Sequence, residues 1–327
     1  MSLISVIIPV YNGEKTIENT IKSVLSQSIN NFELIIINSA STDSTLEIIS
    51  QFKDPRIKVF YYPKANVAVN RNRGFKHACS DFISFIDADD LWTKDKLELQ
   101  YNALINNANA GLVYSWTDCV DERGKFLRRC SYVNWSGDVY CKLLLDDFIG
   151  SGSNVMIRRD AFVAVGGFDE ILTNAQDTDM WIRLAAKYDF VCVPKPQILY
   201  RICNISMSSN VLGLEKSNLE VINRAYSHSK AAQHQHLKIY SLGNLYKYLS
   251  YKALDVYPGK QNTFHTARFI FMCLKYDPVI VFKPIFFKAL FKLTLMTLLS
   301  PKQAKKVLSL LPILSNTSTF LGYEVTS

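Results

Sequence analysis

The chain has 327 residues, of which 48% are hydrophobic, 20% charged and 12% aromatic. That length buries one full-sized core and leaves residues over, so one large domain with an extension is expected. The composition excludes wholesale disorder, collagen and a coiled-coil rod. The longest apolar stretches carry lysines or fall short of the ~18 residues that span a bilayer. The net charge of +8 is unevenly placed. Residues 1–203 hold 22 Lys and Arg against 24 Asp and Glu, whereas residues 204–327 hold 15 against 5. The positive excess therefore lies in the last third, which points to an anionic partner. Its basic residues alternate with apolar runs, a pattern that fits a membrane surface better than nucleic acid.

In chain order, residues 3–10 (LISVIIPV) read as a fully buried strand and not as a signal peptide. Residues 14–28 carry a helical apolar face, and FELIIIN (32–38) is a second buried strand. A helix follows over 41–50, with Ser41 or Thr42 as its cap. IKVFYY (57–62), a helix over 67–79 and DFISFID (81–87) continue the alternation. Strand and helix in alternation predict a doubly wound α/β fold with a parallel sheet.

Beyond it come a helix near 94–107 and a strand at 112–118, while 119–150 resists assignment. Gly150 to Ser153 reads as a flexible loop and not as a phosphate-binding motif. A strand at 153–159, a turn at 166–170, a helix at 176–188 and strands at 190–194 and 198–202 follow; from about 213 the pattern is helical only. The seven cysteines (79, 119, 130, 141, 192, 203 and 273) show no metal spacing, and their odd, scattered count predicts reduced thiols in a cytosolic protein. In that setting the Asn134 and Asn204 sequons carry no meaning. His234 and His236, two apart on a helix, do not share a face and make no metal site.

In an open α/β sheet, ligands bind beyond the carboxyl ends of the strands. There stand Pro9, Val10, Tyr11 and Asn12 after the first strand, Asn38 to Ser41 after the second, and Asp87-Ala88-Asp89-Asp90 after the fourth. Three acids in four positions repel one another unless a cation sits among them. Hard oxygens select Mg²⁺ or Mn²⁺, which bridge to substrate phosphates. The plainer reading has Asp89 or Asp90 capping the helix near Lys94.

Four blocks in order bear on that choice: VIIPVYNGEKTIENTIKSVLSQ (6–27), NSASTDST (38–45), NRNRGFKHACSDFISFIDADDLW (70–92), and GGFDE (166–170) leading to QDTDMWIRL (176–184). Over residues 3–184 the chain resembles a family 2 glycosyltransferase of the GT-A fold. The resemblance implies an enzyme that moves a sugar from a nucleotide-diphospho-sugar, UDP-linked by preference, to a hydroxyl of a glycan or lipid-linked acceptor, in polysaccharide assembly. It implies that Tyr11 stacks on the base, that backbone at Pro9 and Val10 and the amide of Asn38 hold the nucleoside, and that Asp87, Ala88 and Asp89 face the ribose and the metal. Arg71 reaches the phosphates or makes a surface or structural ion pair. Asp177 is the general base of an inverting displacement, or else a helix-start carboxylate without a catalytic role. Asp179 orients or caps, and Trp181 and Leu184 form the apolar face of their helix.

Two positions depart from the family pattern. Asn38 and Ser39 stand where an aspartate is usual, which bears on the preferred base. Gln176 replaces a glutamate before the base and is expected to leave Asp177 less basic.

The expected organisation is a catalytic domain over 1–205, with a nucleotide-sugar half of about 1–92 and an acceptor half of about 93–205, and a basic, apolar helical extension over 206–327. Within 264–314, Lys288 and Lys292 share a face, and Pro278, Pro284 and Pro301 divide the stretch into short helices. This predicts a cytoplasmic enzyme, peripheral on the inner face of the plasma membrane; packing of these helices on the catalytic domain or on each other is the alternative. A non-catalytic glycan- or lipid-binding relative with a degenerate donor site, or a sugar nucleotidyltransferase, are the rival functions. The second lacks its phosphate loop, since YNGEKT (11–16) is not glycine-rich.

Overall fold

The computed structural model describes residues 3–202, 210–255, 260–311, 314, 317 and 320. The chain divides into two units, Met1–Leu143 with Asp147–Cys203, and Leu144–Asp146 with Asn204–Ser327. The boundary expected at 205, Cys203 and the Asn204 sequon lie outside the described residues.

The first unit is built on a sheet of nine strands among the described residues, in the order β3-β2-β1-β4-β8-β6-β9-β5, with the two-residue β5 (Leu91–Trp92) at one edge and β7 paired to β6. Its first half is parallel: β1 (Ile4–Val10) lies between β2 (Phe32–Asn38) and β4 (Phe82–Phe85), and β3 (Ile57–Tyr61) flanks β2. Both ISVIIPV and FELIIIN are buried at every position, as strands covered on two faces must be. Successive side chains serve opposite faces. Ile4, Val6, Ile8 and Val10 pack with Ile17, Ile21 and Val24 of α1 (Ile17–Leu25) and with Leu97 and Leu104 of α4 (Lys96–Ile105). Ile7 instead meets α3 (Val67–His77), where a Cβ on Gly74 would stand 2.3 Å from its Cγ2, so only glycine permits that approach. Glu33 is buried here and accepts from Ser5 (2.6 Å), the Cys79 amide (2.9 Å) and Lys58 (2.8 Å). Burial works to raise its pKa, but these donors hold it at about 2.

The second half of the sheet is mixed. β8 (Met156–Arg158) runs antiparallel to both β4 and β6 (Ala110–Val120), and β9 (Asp189–Arg201) runs parallel to β6. The two strands expected at 190–194 and 198–202 are one strand. Its register slips where Ser115 pairs with Val193 and Trp116 with Pro196, because prolines 194 and 196 donate no ladder hydrogen bond. The unassigned stretch 119–150 supplies β7 (Phe126–Ser131) and α5 (Tyr140–Leu145). The expectation of reduced thiols fails at one pair: Cys119 and Cys130, across β6 and β7, are disulfide-bonded. Pairing of the two strands brings together residues whose proximity no sequence spacing shows.

The second unit is helical: α8 (Val211–Ser227), α9 (Lys238–Asp255), α10 (Lys260–Tyr276), α11 (Pro284–Leu298) and α12 (Pro301–Leu310), with 3₁₀ turns at Ser229–Leu237 and Pro278–Phe282. Pro278, Pro284 and Pro301 open their segments, where the missing N–H costs nothing. Leu249, Phe269 and Ala289 form the centre of its core. In α11 Lys288 is half-buried and Lys292 is not exposed, so the face they share is not the lipid-facing one that the membrane-surface expectation needs. Lys292 is buried on the packed stripe with Ile285, Ala289 and Met296, at the i, i+4, i+7 spacing of one helix face. Phe264, Phe271, Phe282, Phe287 and Leu298 are exposed, and Phe282 is 84% exposed. No helix among the described residues is long and apolar enough to cross a membrane.

Candidate active site

The ends of β1 and β2 are in register, Val10 beside Asn38, and β4 ends beside them. Three loops therefore leave the same sheet edge. The first two are joined by hydrogen bonds between backbone and short side chains. Asn12 is left-handed at φ 51°, donates its N–H to Ser41 Oγ (3.0 Å) and accepts from the Thr42 N–H (2.8 Å). Gly13 N–H donates to Thr45 Oγ1 (2.8 Å) and Glu14 N–H to Asp43 (3.1 Å). The expected caps Ser41 and Thr42 are thus used here. The helix α2 (Thr45–Ser50) starts later, at Ser44, without a side-chain cap.

Beyond β1, Tyr11 is 43% exposed, with the Lys64 ammonium 4.0 Å from its ring centroid. Pro9 and Val10 are buried in the strand. Asn38 is buried, and its Oδ1 accepts the Ser41 N–H at 3.3 Å. Ser39 is fully buried and structural, accepting the Ala65 N–H (2.9 Å). The turn after β4 is held from below by Thr20, whose hydroxyl reaches the carbonyls of Ala88 (3.0 Å) and Asp90 (2.9 Å).

The three acids of this turn have three environments. Asp90 does not cap α4, whose N-cap is Asp95. It points inward and accepts from Ser153 Oγ (2.6 Å) and the Arg201 N–H (3.1 Å). Burial, then Asp89 and Asp87, push its pKa well up. Asp89 is pushed to about 6, by burial and then by Asp87; its carbonyl accepts from Arg201 Nε (2.8 Å). Asp87 accepts from Arg71 at 2.8 Å, and its N–H donates to Ser153 Oγ (2.9 Å).

Arg71 ties this turn to the fourth block. Its side chain is 1% exposed and pairs with both Asp87 and Asp177, so it is a buried ion pair and not a surface one. Burial opposes its charge, yet the two carboxylates hold its pKa above the ordinary value. The ring of Phe168 lies 5.2 Å from the guanidinium carbon. On the other side, a Cβ on Gly152 would fall 2.2 Å from an Arg71 nitrogen.

Asp177 opens α7 (Gln176–Ala185) after Ala175, which is left-handed at φ 56°. Burial raises its pKa, Arg71 opposes, and Asp87 and Asp147 add to the rise; the result is about 6. Burial is thus the first cause of the rise, and the carboxylates that add to it are remote in sequence. Asp179 neither caps nor faces the cluster; it pairs with Arg183. Trp181 and Leu184 are fully buried.

The expectation for Gly150 to Ser153 is corrected. Gly152–Asn154 is a buried 3₁₀ turn, and its Ser153 hydroxyl links Asp87 to Asp90. The roles of Ser153, Gly152, Arg201, Asp147 and Thr20 were not legible in the sequence. The short small-residue run at 150–154 was the available signal for Gly152 and Ser153, while nothing near Arg201 marked it. His234 and His236 lie in the 3₁₀ turn of the second unit.

No three His, Cys, Asp or Glu side chains among the described residues converge as a protein-only metal site would require. The diphosphate-bound metals do not need three: one or two carboxylates plus phosphate oxygens and water suffice. Asp87 and Asp89 are such a hard-oxygen pair; burial first, and the charge of Asp87 second, raise the pKa of Asp89. The donor set fits Mg²⁺ or Mn²⁺.

Comparison with known proteins bears on the whole arrangement. An uncharacterised glycosyltransferase of Rickettsia conorii is 32% identical over 237 residues, covering 68% of this chain and 37% of that protein. The chain thus spans well under half the length of that relative. The Escherichia coli UDP-Glc:α-D-GlcNAc-diphosphoundecaprenol β-1,3-glucosyltransferase WfgD is 31% identical over 219 residues, covering 64% of this chain and 80% of that protein. Among solved structures, Staphylococcus aureus TarS in complex with UDP superposes with a TM-score of 0.53 at 20% identity, over 84% of this chain and 88% of that one. That likeness shows the GT-A fold. The family model for glycosyltransferase like family 2 matches residues 5–253, and with more than half its length so covered the chain belongs to that family.

Proposed function

We propose that this chain is an inverting, metal-dependent glycosyltransferase that moves a sugar from a nucleotide-diphospho-sugar to a hydroxyl of a lipid-linked glycan. One observation carries the reading. A single buried guanidinium, Arg71, engages both the first acid of the Asp87-Ala88-Asp89 turn and Asp177, so the donor-binding and base positions share one site. Tyr11 offers an exposed ring for the base, and Asn38 and the backbone at Pro9 and Val10 border the nucleoside position. A UDP-sugar is the favoured donor, by likeness to WfgD. Asp87 and Asp89 would hold Mn²⁺ or Mg²⁺, which when bound neutralises charge on the departing diphosphate.

Asp177 takes the proton of the acceptor hydroxyl as its oxygen attacks the anomeric carbon opposite the diphosphate. One bond forms as one breaks, the nucleoside diphosphate leaves, and the configuration inverts. A single base therefore suffices. With its pKa near 6, Asp177 is ionised at neutral pH yet more basic than an exposed aspartate. Arg71 keeps that carboxylate charged and aimed.

The proposal includes a catalytic domain over 1–205, a helical extension over 206–327, and peripheral attachment to the cytoplasmic membrane face through 264–314. The outward Phe264, Phe271, Phe282 and Phe287 support that attachment, and residues 312 and 313 of the stretch lie outside the described residues. Proton NMR of the sugar released from a UDP-hexose tests the chemistry. An α-linked donor is expected to yield the β anomer first. An α product, or undiminished turnover in Asp177→Ala, would defeat the reading.

A further inference from the structure

The turn from β6 to β7 has properties that the transfer chemistry does not use. Residues 121–129 read DERGKFLRR. The Asp121 carboxylate is spent inside the turn, accepting the N–H groups of Arg123 (2.9 Å) and Lys125 (2.8 Å), while Gly124 takes φ 80°. Beyond it the seven residues 123–129 contain four cations, two large apolar side chains and no acid. Arg123, Lys125, Phe126, Leu127 and Arg129 are exposed, with Phe126 at 55% and Leu127 at 50%. No ion pair joins any of the four cations to an acid among the described residues. Arg129 lies over the Tyr132 ring at 5.1 Å.

Among the described residues β7 pairs only with β6, so it is an edge strand. Basic residues protect such an edge from pairing with other chains. That protection is no reason to expose Phe126 and Leu127 beside them. Cations flanking outward apolar side chains are the composition of a surface that enters the headgroup region of an anionic bilayer. The turn is also anchored to the site. Arg201 donates to the carbonyls of Glu122 (2.5 Å) and Asp121 (3.4 Å) through one nitrogen and to the Asp89 carbonyl through Nε (2.8 Å).

We propose that the Arg123 to Arg129 turn docks on an anionic lipid surface, with Phe126 and Leu127 entering the acyl boundary and the four cations meeting lipid phosphates. This deepens the proposed function and rests on it: a lipid-linked acceptor is met at a bilayer, and Arg201 sets the docking turn one side chain away from the Asp87-Ala88-Asp89 turn. The contact belongs to the first unit, whereas the 264–314 stretch belongs to the second.

The test is flotation of the full chain with vesicles of phosphatidylcholine alone or with added phosphatidylglycerol. R128Q/R129Q is expected to weaken partition onto the anionic vesicles by roughly twentyfold. F126S/L127S is expected to weaken it by about tenfold, and the charge-preserving R128K/R129K to retain it. All three variants should keep the parent's unfolding midpoint and its hydrolysis of UDP-sugar in the absence of vesicles. The proposal is overturned if the parent ignores phosphatidylglycerol, if R128Q/R129Q partitions like the parent, or if R128K/R129K loses binding as fully as R128Q/R129Q. Lipid binding that follows these expectations in a protein that never cleaves a UDP-sugar would sustain the docking turn and refute the transferase reading.

Discussion

Two cations lie fully buried in the first unit, and their surroundings differ. Arg71 stands between two carboxylates, Asp87 and Asp177. Among the described residues no acid pairs with Lys96; its ammonium donates to the Ser84 hydroxyl and to the Val155 carbonyl (3.2 Å), with the Trp92 ring centroid 3.9 Å away. Burial pulls the Lys96 pKa well below its ordinary value, whereas the paired carboxylates hold that of Arg71 above it. A buried charge that is matched can organise chemistry, while an unmatched one is relieved by losing its proton. The pair therefore separates a cation held between carboxylates, to which the proposed function gives a role, from one that fills the core between β4, β8 and α4.

Substitutions should widen that contrast. Asp177→Asn is expected to lower kcat by about 10²–10⁴ while leaving UDP affinity unchanged, as steady-state rates and calorimetry would reveal. Arg71→Met strands two carboxylates in the interior and should cost about 3–5 kcal/mol of stability in denaturant titration. Its activity should show a further signature. Under the proposed mechanism the rate requires ionised Asp177, so it should fall as pH drops through about 6; without the guanidinium, which lowers that pKa, the acid limb should move to higher pH.

Gly152→Ala places a methyl against the guanidinium. It should cost about 1–3 kcal/mol through overpacking and lower kcat without raising KM for the donor. Lys96→Met should keep kcat within about twofold and change stability at neutral pH by about 1 kcal/mol or less. In the parent, the folded state binds that proton less readily than the unfolded chain, so stability rises with pH from the depressed folded value toward 10.5. The methionine variant should lose this slope. The smallest effect is expected at Ala175→Gly, which relieves a left-handed alanine and should stabilise by about 1 kcal/mol.

The parallel half of the sheet was legible because each of its strands is a local apolar run. LISVIIPV and FELIIIN announce burial on both faces, and the acids after the fourth strand stand where an open sheet binds ligands. The family blocks likewise brought Asp87 and Asp177 into one reading. The remainder depends on contacts between residues far apart in the chain. Ser153 gains its place between Asp87 and Asp90 only when β8 pairs with β4, and Arg201 reaches Asp89 only when β9 lies along β6. The same holds for the disulfide of Cys119 and Cys130 and for Lys292, whose heptad-like neighbours pull it onto a packed face. The basicity of Asp177 depends on the fold for a related reason. Burial raises it first, and the charges that add to the rise, Asp87 and Asp147, are remote in sequence.

The most direct measurement is calorimetric titration of UDP, GDP and dTDP, with and without Mn²⁺, into the parent, Asp89→Ala and Asp177→Asn. The account predicts that one nucleotide, UDP by preference, binds only with the metal, that Asp89→Ala abolishes this binding, and that Asp177→Asn retains it. Binding that ignores Mn²⁺ and survives Asp89→Ala would contradict the assignment of the Asp87-Ala88-Asp89 turn as the donor's metal site.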